Sequence, residues 1–91
     1  MVNIIRLSAP GMHPLTWGEL LAVTVTNASS TPVTVTVHTP TVENGVILAD
    51  VRVPANDTRQ LWFPLPLPLK EGVAANWSGS GINVTLYVNI P

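Results

Sequence analysis

Residues that could support catalysis or bind a metal ion are few and scattered along the chain. His13 and His38 are the only imidazoles and lie far apart in sequence, and there is no cysteine. Thiol nucleophiles and thiolate metal sites are therefore excluded. No serine lies in a nucleophile-elbow motif, and no phosphate-binding loop is present. The acids are isolated from one another: Glu19, Glu43, Asp50, Asp57 and Glu71. The sequence predicts a protein that is not an enzyme and that uses no metal or cofactor.

The charge content is low for a folded domain. Charged residues make up 10% of the 91 residues and hydrophobic residues 46%, whereas ordinary domains carry about 25% charged residues. No apolar run approaches the ~20 residues of a membrane span, and the N-terminal apolar stretch is too short for a signal peptide. A net charge of −1 with four scattered basic residues argues against binding to nucleic acid or to a membrane surface. We expect copies of the chain or a larger assembly to cover much of its surface.

Alternation of apolar and polar residues dominates the chain and predicts strands. In "PVTVTVHT" the valines Val33, Val35 and Val37 face one side and threonines the other. In "INVTLYVNI" the alternation places Leu86 in the core and Tyr87 outside it. Clusters of turn-forming residues separate such segments and predict hairpins over Leu20–Thr39 and around "SGSG", with another turn at Asn44-Gly45.

These patterns predict one all-β domain over residues 1–91. About seven or eight short strands in a chain of this length favour an antiparallel sandwich, of either the immunoglobulin-like or the jelly-roll type. Residues 8–19 contain Pro10, Pro14 and Gly18, which exclude a helix, and we expect an irregular N-terminal loop or arm there.

The stretch "LWFPLPLPLKEG" alternates Pro64, Pro66 and Pro68 with leucines. Proline excludes a helix and pushes the preceding residue to an extended conformation, so the segment is a strand or a polyproline II run. In a strand, the three prolines would remove every donor from one edge. Such a strand would limit a sheet border to pairing on one side.

The three tryptophans have three possible roles, as sugar-stacking platforms, core residues or interface anchors. Trp62 and Phe63 are adjacent, so one of them must face away from the core if the strand is regular. An outward aromatic beside a blunted edge favours an interface anchor. Our candidate interface residues are Trp17, Trp62, Phe63, Pro64, Pro66 and Pro68.

Four asparagines match the Asn-x-Ser/Thr pattern of N-glycosylation sites: Asn27, Asn56, Asn76 and Asn83. Three of them lie at turns or strand ends, where Asn, Ser and Thr recur because they bond to the backbone. We expect these residues to have structural roles.

The order of these features resembles a group of small β-sandwich proteins encoded among the structural genes of tailed bacteriophages. The matching segments are "AVTVTNASSTPVTVTVH" and "VILADVRVPANDTRQLWFPLPLPLKEGVAANWSGSGINVTLYVNI". Their shared elements, which extend from about Leu20 to Ile90, are Asn27-Ala28-Ser29, the Pro54–Thr58 turn, the Leu65–Leu69 strand, Gly72 and Val84–Val88. The segment "SAPGMHPLTWGEL" departs from the pattern, which has a short turn at that place.

The resemblance implies a virion accessory protein, made in the cytoplasm of a host bacterium. The first expectation is a capsid decoration (cement) protein that binds the major capsid protein on the outer surface of the head. The resemblance also implies a homotrimer, because shell decorations sit on threefold or quasi-threefold points. The alternative is a receptor- or glycan-binding module of a tail or fibre, with Trp17 or Trp77 as stacking platforms. A secreted adhesin-like or carbohydrate-binding domain is a third possibility.

Overall fold

The structure, a computed structural model, describes residues 1–39 and 47–90. Within these residues the chain forms eight strands and no helix. The strands are β1 (Val2–Leu7), β2 (Gly11–Pro14), β3 (Gly18–Asn27), β4 (Val33–His38), β5 (Ile47–Val53), β6 (Asp57–Leu69), β7 (Gly72–Asn76) and β8 (Ile82–Asn89). They build two four-stranded antiparallel sheets that pack together, so the predicted all-β sandwich is confirmed.

The strand pairing follows one simple rule. β1 pairs with β8, β2 with β7, β3 with β6 and β4 with β5. The chain is therefore one long antiparallel hairpin rolled into two sheets, with the orders β1-β8-β3-β6 and β2-β7-β4-β5. Rolling adds the contacts of β3 with β8 and of β4 with β7. This is the jelly-roll arrangement, which decides between the two sandwich types left open by the sequence.

The hairpins predicted from local turn signals are wrong. β3 and β4 lie in different sheets, because the segment "NASSTP" carries the chain across the sandwich instead of reversing it within one sheet. The same holds for "SGSG", which joins β7 of one sheet to β8 of the other. Turn-forming residues show where a strand ends, but they do not specify which sheet the chain enters next. The predicted Asn44-Gly45 turn lies outside the described residues.

Residues 8–19 are more regular than expected. Gly11–Pro14 forms β2, which pairs with β7 at the border of the second sheet. β3 already begins at Gly18. The prolines do exclude a helix here, but Pro14 is compatible with a border strand, where one edge needs no donor.

The core lies between the two sheets and is made mostly of valine and leucine. The predicted inner faces of β4 and β8 are confirmed, since Val35, Val37, Val84 and Leu86 are completely buried. Tyr87 points to the opposite side and is only half-buried. Both sheets therefore bury one face, as the period of two in the sequence requires.

One buried polar side chain fixes the end of β3. Asn27 is 1% exposed, and its Nδ2 donates to the carbonyls of Thr31 (2.8 Å), Val53 (3.3 Å) and Pro54 (3.2 Å). Its Oδ1 accepts bonds from the backbone N–H of Ser29 (2.9 Å) and from the Ser29 hydroxyl (2.6 Å). The Asn-x-Ser pattern at this position is a structural device that ties the β3–β4 connection to the end of β5.

Truncation of Leu86 and of its neighbour Tyr87 should show which face of β8 is buried, because the two variants should lose different amounts of stability. We expect Leu86→Ala to lower the free energy of unfolding by about 2–5 kcal/mol, because a fully buried leucine leaves a cavity. Tyr87→Ala should cost much less, since its ring lies on the outer face. Chemical denaturation of both variants measures the difference, and equal losses would contradict the observed register.

Removal of the Asn27 amide should destabilise the fold. Asn27→Ala leaves three buried or part-buried carbonyls without this donor, and we expect a loss of about 1–3 kcal/mol. Asn83→Ala is the matched control, because Asn83 belongs to the same sequence pattern but is exposed on β8, and it should change stability by less than about 0.5 kcal/mol. Urea denaturation at unchanged m-value tests both expectations, and similar losses would show that Asn27 has no special role.

Candidate binding face

The outer face of the β1-β8-β3-β6 sheet carries a line of apolar side chains. Ile4, Tyr87, Ala22 and Trp62 lie opposite one another on the four strands, and we call this line the aromatic row. The rings of Trp62 and Tyr87 stack, with centroids 6.0 Å apart and planes inclined by 20°. They can meet because Ala22, on the strand between them, is too small to separate them. Trp62 remains 60% exposed and Ile4 56% exposed.

A β-bulge in β3 gives Ala22 its outward orientation. The register of β3 shifts between Leu20 and Ala22 against both of its neighbours. Leu20 and Val23 both belong to the buried core, although strict alternation would place them on opposite faces. The extra residue, Leu21, reverses the alternation, and Ala22 therefore lies on the outer face between the two rings.

Polar rows lie on both sides of the aromatic row. On one side Gln60 Nε2 donates to Thr24 Oγ1 at 3.1 Å. On the other side Asn89 Nδ2 donates to Glu19 Oε1 at 3.4 Å. Rows on one face of a sheet are about 7 Å apart, so on β8 and β3 the apolar strip is one residue wide and is bordered by hydrogen-bonding groups. At the β1 end Val2, which lies opposite Asn89, widens the strip.

The structure separates the predicted aromatic sites. Trp62 faces outward, whereas Phe63 is half-buried and packs against the core, as the adjacent pair in a strand requires. Trp17 is partly exposed between β2 and β3 and does not belong to the aromatic row. Trp77 is only 8% exposed and is part of the core, so the idea that it offers a stacking platform is wrong. Sequence reasoning missed Tyr87 and Ile4, because no local signal links them to Trp62.

The proline-rich segment is the second half of β6, a strand at the border of its sheet. This decides against the polyproline II alternative, but the strand is not regular. Phe63–Pro66 has no partner residues in β3, because the pairing passes from Trp62 directly to Leu67. Pro64 and Pro66 therefore lie in an irregular excursion, where proline is tolerated. Pro68 lies opposite Glu19.

The border of β6 keeps its donors in the first half. The N–H of Ala28 bonds to the carbonyl of Gly81 at 2.9 Å, and this fixes which residues of β3 bond to β8. By alternation, Val23 and Val25 bond to β6 instead. Three residues of β6 then direct their N–H groups away from β3: Thr58, Gln60 and Trp62. The N–H of Thr58 donates to Asp57 Oδ1 at 2.8 Å. The second half of β6 contains three prolines, which have no N–H group to donate.

Across residues 1–39 and 47–90 no group of three or more His, Cys, Asp or Glu side chains could hold a metal ion. His38 Nδ1 lies 2.7 Å from the carbonyl of Thr39. In the same part of the chain, no helix is long and apolar enough to cross a membrane. No protein-family model and no curated protein sequence matches the chain.

Replacing the three prolines of β6 by residues with backbone N–H groups should change the association of the protein more than its folding. In the triple variant Pro64→Thr, Pro66→Thr, Pro68→Thr, good strand formers return three N–H groups to the second half of β6. We expect unchanged circular dichroism together with larger oligomers or aggregates, because an open border is a template for strand addition.

Leu65→Thr is the matched control, since it alters the same exposed segment without adding a donor. Light scattering and thermal melting distinguish the outcomes. A triple variant that melts at lower temperature and keeps the native size would contradict the border-blocking role of the prolines.

Proposed function

We propose that the chain is a structural virion protein that decorates the outer surface of a tailed-phage capsid and docks through the aromatic row. The observation that carries the proposal is the exposed Trp62 ring, stacked on Tyr87 and presented by a sheet face. The order of strands and turns adds support through its resemblance to phage structural proteins. Jelly rolls include viral capsid domains, although a fold alone does not determine function.

The aromatic row has the chemistry of a protein-binding anchor. Tryptophan and tyrosine contribute large contact areas and dominate the energetics of many interfaces. The flanking rows, such as Gln60 with Thr24, would form the polar rim that surrounds an interface core. A decoration protein that binds only the assembled shell stabilises that shell by mass action. No catalytic group is needed for this role.

The remaining predicted interface residues have secondary places in the proposal. The prolines of β6 lie beside the aromatic row and keep further strands from adding there. Phe63 supports β6 from the core side and is not a surface anchor. Trp17 lies outside the aromatic row, so contact with the capsid there would need a second surface. The homotrimer implied by the resemblance stays a prediction.

Binding of a glycan is the second candidate function, as part of a tail or fibre. The observation that favours it is the width of the aromatic row, a single strip of rings between two rows of amide, hydroxyl and carboxylate groups. A sugar ring offers an apolar face and polar edges, which match this arrangement. In this case Trp62 is the platform, and the earlier candidate Trp77 has no part in it.

Removal of the Trp62 ring should abolish docking. We expect Trp62→Ala to weaken binding to purified, tail-free full heads of the phage that encodes the chain by about 30-fold or more, the loss typical of an interface hot spot. Met12→Ala is the control, because Met12 is exposed on β2 of the other sheet. Co-sedimentation with the heads measures binding.

Two outcomes would contradict the capsid proposal. One is a wild-type chain that does not bind the heads, and the other is equal binding of the wild type and Trp62→Ala. Binding to the surface polysaccharide of the host that depends on Trp62, without binding to heads, would instead support the glycan candidate.

A further inference from the structure

The border of β1 presents a complete set of unpaired backbone groups. Met1 and Ile90 exchange both backbone hydrogen bonds, at 2.9 and 2.8 Å, so they form a hydrogen-bonded pair of the β1·β8 ladder. Such pairs alternate along an antiparallel ladder. The intermediate residues therefore direct both N–H and C=O away from β8. These residues are Val2, Ile4 and Arg6.

The other three borders of the two sheets carry features that discourage pairing. β2 has four residues and ends in Pro14. β5 carries the charged residues Asp50 and Arg52, both exposed. β6 contains three prolines in its second half, and Arg59 in its first half forms an ion pair with Asp57 at 3.2 Å. β1 has six residues without proline or glycine, and its one charged residue, Arg6, lies near the end of the strand.

The open border of β1 is also apolar. Val2 and Ile4 are 55% and 56% exposed, and both belong to the set whose backbone groups face outward. A border with unpaired donors, unpaired acceptors and exposed aliphatic side chains favours the addition of another strand. The only charged side chain of the strand is Arg6. A strand that pairs with β1 should therefore place no positive charge opposite Arg6 and should offer aliphatic side chains beside Val2 and Ile4.

We propose that the occupant is β1 of a second copy of the chain, paired antiparallel about a twofold axis at Ile4. In this register Ile4 lies opposite Ile4 of the second copy, and Val2 lies opposite Arg6 of the second copy. All three outward residues of each strand then form backbone bonds, and the interface is the same patch on both copies. The proposal does not depend on whether the aromatic row binds a capsid or a glycan.

Charge selects this register over its neighbours. With the axis at Ile4, each Arg6 packs its aliphatic stem against a valine and does not face another arginine. With the axis at Arg6, two guanidinium groups would lie opposite each other, which is unfavourable. The net charge of −1 per chain adds little repulsion between copies.

The size of the interface sets the strength that we expect. A standard stable interface buries about 800 Å² per partner, whereas the whole chain exposes 5388 Å². One strand border of six residues with two aliphatic side chains falls below that standard. We therefore expect a weak dimer, with a Kd in the range of about 1 μM to 1 mM.

Pairing through β1 also joins the two candidate binding faces. Ile4 belongs to the aromatic row, so an axis at Ile4 places the rows of both copies end to end across one continuous eight-stranded sheet. Each row would extend from Trp62 to Ile4 and continue into the second copy. A twofold dimer differs from the homotrimer implied by the resemblance, and the two assemblies can be distinguished by mass.

Cross-linking at the axis tests the register. The chain has no cysteine, so Ile4→Cys introduces one thiol per copy. Opposite residues of a hydrogen-bonded pair have Cα atoms about 5.5 Å apart, which suits a disulfide. We expect Ile4→Cys to oxidise to a covalent dimer about tenfold faster or more than the control Gln60→Cys on the β6 border, because paired thiols react at a raised effective concentration.

Equal rates for the two variants, or faster oxidation of Gln60→Cys, would overturn the proposal. Sedimentation equilibrium gives an independent test without a disulfide. We expect the wild type to approach twice 9.7 kDa as its concentration rises, and Ile4→Lys to remain monomeric at the same concentrations, because two ammonium groups would meet at the axis. Leu65→Lys, an exposed leucine on β6, should behave as the wild type.

A wild-type trimer would overturn the twofold proposal, and so would a wild type that stays monomeric at about 1 mM, where even the weakest expected dimer would be populated. These measurements use the isolated chain and need no capsid. A negative result therefore leaves the test of Trp62 against phage heads unaffected.

Discussion

The burial of one face of β3 and β8 is the constraint on which the rest of the molecule depends. These two strands lie at the centre of their sheet, and side chains such as Val23, Val25, Val84 and Leu86 are completely buried against the other sheet. Each contributes roughly 1.5–3 kcal/mol by leaving water. The chain has no disulfide to add, so its stability relies on this burial. The outer face of the same strands is not needed for this burial, so its side chains can form a binding surface.

Core and binding face are joined through the bulge at Leu21. Without the extra residue, strict alternation would turn either Leu20 or Val23 away from the core, which would expose a large aliphatic side chain. With it, both remain buried, and Ala22 is placed between the rings of Trp62 and Tyr87. The irregularity that keeps the core closed is therefore also the feature that allows the two aromatic rings to meet. Bulges are common beside functional surfaces for this reason.

The sequence was sufficient to predict the strands and their faces but not the order in which they pair. Leu86 and Tyr87 were assigned correctly because side chains alternate along any strand. The hairpin between β3 and β4 was wrong because turn residues are local, whereas the choice of sheet depends on the packing of the whole chain. The sequence allowed only part of the aromatic row to be predicted. Trp62 stood out beside the prolines, but Ile4 and Tyr87 become its neighbours only through pairings between strands distant in sequence.

The nested pairing of strands has a consequence for how the molecule forms. β4 and β5 are separated only by residues 39–46, whereas β1 and β8 are joined across almost the entire chain. Loop-closure entropy rises with the length of the enclosed chain, so the inner pair should close first and the outer pair last. On a ribosome, β1 is made first and its partner β8 last. β1 therefore has no partner strand during most of synthesis. Its open border forms only when β8 has emerged and paired with β1, so copies of the chain cannot associate through this border before then.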